Sequence, residues 1–72
     1  MEKQTFNKKL AKQITKYREE KKLTQGELAK LCGNKQKQAI QRLETGAITP
    51  SAYFVYEIAK AMKIEVGVLM DL

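Results

Sequence analysis

The sequence has no histidine and no tryptophan, and its 72 residues include one cysteine, Cys32, and one proline, Pro50. A lone cysteine closes no internal disulfide. It also falls short of the about four Cys/His ligands that hold a structural zinc. Without histidine the chain lacks the commonest general base and the usual activator of a nucleophile, which argues against an enzyme. The composition thus implies no metal and no cofactor. Long apolar runs are missing as well: the longest span five residues, 52–56 and 66–70, against the about 20 of a membrane-crossing helix. The opening residues have no apolar segment of the secretory-signal kind. The expected setting is soluble, reducing and cytoplasmic. A chain of this length buries only about 60% of the surface its unfolded form exposes. Small domains add a disulfide, a metal or a partner subunit to such a core, and here only the subunit is left.

What the chain does have is positive charge. It carries 14 Lys+Arg against 8 Asp+Glu, a net +6. Residues 1–46 hold twelve cations and five anions, giving +7, while residues 47–72 hold two cations and three anions, giving −1. A basic portion that spares the C-terminal third points to a surface for a polyanion. On charge alone, nucleic acid and a membrane surface approached by a basic amphipathic helix both qualify. So does the plain alternative, lysines that only solubilise. With 43% hydrophobic and 31% charged residues, the composition is that of a folded chain rather than a disordered one.

Gly33, Gly46 and Pro50 divide the sequence into short helical pieces. Phe6, Leu10, Ile14 and Tyr17 recur at helical spacing and predict a first helix over about residues 5–21, capped by Thr5 or Asn7. Lys8, Lys9, Lys12 and Lys16 fall mostly off that stripe. The core's claim on the stripe argues against a membrane-surface role. Thr24 and Glu27 form a capping-box pattern that opens a second helix of eight or nine residues. Leu28, Ala29, Leu31 and Cys32 would be its apolar face and Gly33 its end. A third helix is expected over about residues 36–45. At ~100° per residue, Gln36, Ala39, Ile40, Leu43 and Glu44 share one side of it. Gln38, Gln41, Arg42 and Thr45 share the other, a polar, long-armed face almost free of acid. Ser51 caps a fourth helix that turns Val55, Ile58, Ala59 and Met62 inward. A last element over about residues 65–71 contains Gly67, which weakens it by up to about 1 kcal/mol relative to alanine. The fold class is all-α, a compact domain of about five short helices.

A short capped helix, a glycine turn and a second helix with a polar outer face make a helix-turn-helix, here over about residues 24–45 of one domain spanning 1–72. Leu23-Thr-Gln-Gly-Glu-Leu-Ala-Lys-Leu-Cys-Gly33, then Ala39-Ile-Gln-Arg-Leu-Glu-Thr-Gly46, then Pro50-Ser51 and Ile58-Ala-Lys-Ala-Met62 resemble the phage repressor/Cro-type (XRE) family. The resemblance covers about residues 10–70. It implies a five-helix DNA-binding domain, usually a homodimer, that regulates transcription in a bacterial or phage-infected cell, here as a repressor on a near-palindromic operator. By motif position it assigns base contacts to Lys37, Gln38, Gln41 and Arg42. It assigns phosphate contacts to Thr24 and Gln25 and to the backbone around Thr45, Gly46 and Ala47, and the nearby cations Lys22 and Lys35 are expected to add phosphate contacts through their charge. It pairs Arg18 with Glu44. The chemistry agrees independently, since Gln reads adenine N6/N7 and Arg or Lys reads guanine O6/N7. The start of a helix is also a natural anion site.

One departure stands out. Seven positions separate Gly33 from Ile40, where the family pattern has six, and Asn34, Lys35 and Gln36 replace its small apolar residue. The longer turn blurs the start of the third helix and shifts weight from Lys37 to Gln38, Gln41 and Arg42. Cys32 occupies an apolar family position and reads as core rather than as a redox centre. Tyr53, Phe54 and Tyr56 could stack on single strands, but on the neutral fourth helix core or interface packing is the better reading. Val66, Val68, Leu69 and Met70 exceed what so short an element can bury, so part of this tail, together with the fourth helix, is expected to form a dimer contact. The competing function is a protein-interaction module, such as an antitoxin that also autoregulates through DNA. A separate toxin-binding tail would distinguish it, and none is evident.

Overall fold

The computed structural model describes residues 1–33 and 36–72. Five helices follow one another among the described residues: α1 Lys3–Glu20, α2 Gln25–Leu31, α3 Lys37–Glu44, α4 Ala52–Ala61 and α5 Val66–Leu69. No strand occurs among the described residues, and the chain is all-α. None of the helices there is long and apolar enough to cross a membrane.

Eighteen residues without glycine or proline make α1 the longest element. It begins earlier than expected, with Glu2 at the N-cap and no side chain capping it. Thr5 and Asn7 therefore lie inside the helix and cap nothing. Asn7 is buried, and Thr49 Oγ1 donates to its Oδ1 at 2.7 Å. That bond satisfies a buried amide and fastens α1 to the segment that follows α3.

The capping chemistry of α2 and α4 is as the sequence indicates. Glu27 N–H donates to Thr24 Oγ1 at 3.0 Å and Thr24 N–H donates to Glu27 Oε1 at 2.8 Å, closing the capping box. These bonds hold the Glu27 carboxyl below its ordinary pKa, the backbone bond from Thr24 contributing most. Phe54 N–H donates to Ser51 Oγ at 3.1 Å. With seven residues, α2 is shorter than expected, and Cys32 stands at its C-cap.

Three helices end in the same way. Leu23, Ala47 and Ile64 each donate a backbone N–H to the carbonyl five residues back, while Lys22, Gly46 and Lys63 donate three residues back. This is the Schellman arrangement, with Lys22, Gly46 and Lys63 in the left-handed region at φ 57°, 78° and 58°.

The helices enclose one cluster. Leu10, Ile14, Leu28, Ile40, Leu43, Ile58, Met62 and Leu69 are fully buried, joined by Ala29, Cys32, Val55 and Ala59. Each large aliphatic chain contributes about 1.5–3 kcal/mol by burial. In this arrangement α3 packs against α1 and α2, α4 against α2 and α5, and α5 returns to α1. Gln13 Nε2 reinforces the last contact by donating to the carbonyls of Val68 and Asp71, each at 3.3 Å.

Some expected core members lie elsewhere. Leu31 is 57% exposed, because at ~100° per residue it lies at the edge of the stripe that Leu28, Ala29 and Cys32 turn into the core. Tyr53 and Tyr56 are exposed and only Phe54 of the aromatic trio packs against the core.

Candidate nucleic-acid interface

Six of the eight residues of α3 divide between core and solvent, with Ala39 and Glu44 half-buried between them. Ile40 and Leu43 enter the core, whereas Lys37, Gln38, Gln41, Arg42 and the C-cap Thr45 are all exposed. The outward face carries two cations, two primary amides and a hydroxyl, and no carboxylate. Such groups donate hydrogen bonds to base edges and phosphates, and the glutamines also accept them.

The position of that face is fixed from beneath. Glu44, the last residue of α3, receives Arg18 Nε at 2.6 Å and Arg18 Nη2 at 3.1 Å, and Gln25 Nε2 at 3.0 Å. Arg18 Nη1 donates in turn to the Leu23 carbonyl at 2.8 Å. One carboxylate thus joins α1, the start of α2 and the end of α3. The side chains of Arg18 and Glu44 are only 13% and 6% exposed, so water screens the pair weakly. The hydrogen bond to Glu44 raises the pKa of the Arg18 guanidinium above its ordinary value, against the opposing effect of burial. The two-pronged geometry is the strong form of a charge-assisted hydrogen bond.

Three surface depressions surround the outward face. One, of about 570 Å³, lies at the start of α2 and is lined by Arg18, Lys22, Thr24, Gln25, Gly26 and Lys37 among others. The second is formed by Gln25, Gln41, Arg42 and Thr45. The third, between α1 and the end of α3, has walls from Lys8, Lys12, Lys16, Glu44 and Thr45. Lys37 therefore sits with Lys22 and Thr24, at the first position of α3, rather than in the depression shared by Gln41 and Arg42.

Several expected contacts look different in three dimensions. The backbone N–H groups of Thr45, Gly46 and Ala47 donate to the carbonyls of Gln41, Leu43 and Arg42. The Thr45 hydroxyl donates to the Arg42 carbonyl at 2.9 Å. The amides that the resemblance assigned to phosphates are therefore consumed in closing α3. Of the four apolar residues assigned to a dimer contact, Leu69 is fully buried in the core and Met70 partly so, which leaves Val66 and Val68 at the surface. Lys35, and the longer turn at Asn34 and Lys35, lie outside the described residues. Sequence reasoning missed the row Lys8, Lys12 and Lys16 beside Thr45; spacing by four residues was the available signal.

A fully buried hydrophobic side on α3, a donor-rich outer side and a brace to the preceding helix define a helix-turn-helix DNA-binding protein. A family profile described as helix-turn-helix matches residues 14–69, and the chain belongs to this XRE-type helix-turn-helix family. It is a DNA-binding transcription regulator. No curated protein matches the chain significantly in sequence.

Proposed function

We propose that residues 1–72 act as one sequence-specific DNA-binding domain that represses transcription as a homodimer on a near-palindromic operator. The observation that carries this reading is the outer face of α3, free of acid and held rigidly through Glu44 to Arg18 and Gln25. In the reading, Gln38, Gln41 and Arg42 enter the major groove and recognise base edges, each bidentate pair being worth about 1–3 kcal/mol of discrimination. Lys22, Thr24, Gln25 and Lys37 meet the phosphates beside the start of α2. These contacts position the protein, while the base contacts specify the sequence. Two copies would set their α3 helices in successive major grooves, about 34–36 Å apart.

Selection from random duplex DNA tests this reading. The wild-type protein is expected to select a two-fold symmetric motif. Gln38→Ala should change the selected sequence, whereas Lys22→Ala should keep it, weaken binding at every site and lower the salt slope by about one. An unchanged motif from Gln38→Ala would remove α3 as the reader.

A further inference from the structure

The strongest charged feature that this reading leaves unused lies on α1. Lys8, Lys12 and Lys16 recur every four residues along one face and line a groove of about 540 Å³ whose far wall is Glu44 and Thr45. All three are exposed, and none pairs with a carboxylate among the described residues. Of the two acids on the groove, Glu44 is occupied by Arg18 and Gln25, and Glu19 stands next to Arg18 in the chain, where it favours that residue's charge. Lysines four apart repel one another on a helix, so the row is maintained against a small cost in stability.

Its position is as informative as its charge. Thr45 belongs both to this groove and to the depression of Gln25, Gln41 and Arg42. Lys8 belongs both to this groove and to the next, which Lys3, Gly46 and Ala47 complete. The depressions thus adjoin one another from the outer face of α3, past its C-terminal end at Thr45, to the lysine row on α1. From Lys8 to Lys16 the row extends about 12 Å at ~1.5 Å per residue. That is the span of roughly three or four phosphates of one strand at ~3.4 Å each.

We infer that Lys8, Lys12 and Lys16 form a second DNA contact, gripping the phosphate backbone of duplex flanking the motif that α3 recognises. The inference rests on the reading of α3 as the recognition element and lengthens its footprint. The row supplies affinity and carries no sequence information, because phosphates are the same at every step. It also compensates for the turn after α3, whose amides are committed to the helix end and offer a phosphate nothing.

The experiment replaces all three lysines by glutamine, Lys8→Gln/Lys12→Gln/Lys16→Gln, which retains helix propensity and the stem that Lys8 lays against Gly46. A control variant, Lys9→Gln/Lys60→Gln/Lys63→Gln, removes the same charge elsewhere. Binding is followed by fluorescence anisotropy across a salt series. The probes are the selected motif on a duplex with flanks and on one trimmed to the motif, and circular dichroism reports the fold. The row variant should bind the flanked duplex about tenfold or more weakly near ~0.1 M salt, with its salt slope reduced by about two to three. It should approach wild type on the trimmed duplex and select an unchanged motif.

An unaltered slope on flanked DNA would overturn the contact, as would an equal loss in the control variant. In each of these cases a shifted motif from Gln38→Ala would still uphold α3 as the reader, so the two failures are separable.

Discussion

The left-handed residues that close the helices show how one backbone conformation gives opposite expectations for different side chains. Gly46 and Lys63 occupy the same position in the same motif, at φ 78° and 58°. A residue with a Cβ is disfavoured there by about 1–2 kcal/mol. At Gly46 a Cβ would additionally lie 3.3 Å from Lys8 Cγ and 3.5 Å from its Cα. Gly46→Ala should therefore destabilise the protein by about 1–2 kcal/mol or more. Lys63 bears that cost already, and Lys63→Gly should stabilise by about 0.5–1 kcal/mol, part of the gain being offset by glycine's greater freedom when unfolded. Urea denaturation of the two variants checks both signs. Equal destabilisation in both would mean that packing at residue 63, and not its backbone, sets the balance.

Among the elements, the local ones were legible and the distant ones were not. Thr24 and Ser51 announce their helices because a cap needs only a hydroxyl and the amide three residues on. Gly33 and Gly46 announce ends because glycine removes the Cβ conflict. Nothing local identifies Asn7 as a buried partner of Thr49, which lies 42 positions away; an amide near a helix start reads equally well as a cap. Nor does a lysine announce the left-handed turn that Lys22 and Lys63 adopt, which the Schellman hydrogen bonds impose. The outer face of α3 was readable from its period, but the fate of the Gly46 and Ala47 amides depends on the backbone hydrogen bonds that close the helix. The Arg18–Glu44 pair is where three elements depend on one carboxylate. Arg18→Ala or Glu44→Ala should each cost about 3 kcal/mol, since either leaves a poorly hydrated charge without its partner. The double variant Arg18→Met/Glu44→Leu should recover most of that loss in a thermal melt while binding DNA weakly, because the end of α3 is no longer fixed. Single variants as stable as wild type would reduce the pair to a surface contact.

At the scale of the whole molecule, the uneven charge bears on how two copies would meet. The exposed part of α5 is small: Val66 and Val68, at 40% and 43% exposure, are its main apolar surface. A stable interface buries at least about 1,000 Å² in total, and two valines from each copy fall far short. Each copy also brings a net +6. A dimer formed through α5 should therefore be weak in free solution and strengthen on DNA, where adjacent half-sites raise the effective concentration and phosphates neutralise the repulsion. Salt separates the two effects. Screening should favour association of the free protein, since like charges are pushed apart less, while the same salt weakens binding to duplex. Sedimentation equilibrium across a salt series should show the free protein dimerising more readily at high ionic strength, and Val66→Lys/Val68→Lys should abolish this. That variant should also bind a single half-site normally but lose preference for two. A protein that stays monomeric at high micromolar concentration, with and without DNA, would exclude the dimer. Association that weakens with salt would instead place oppositely charged groups, rather than the α5 valines, at the contact.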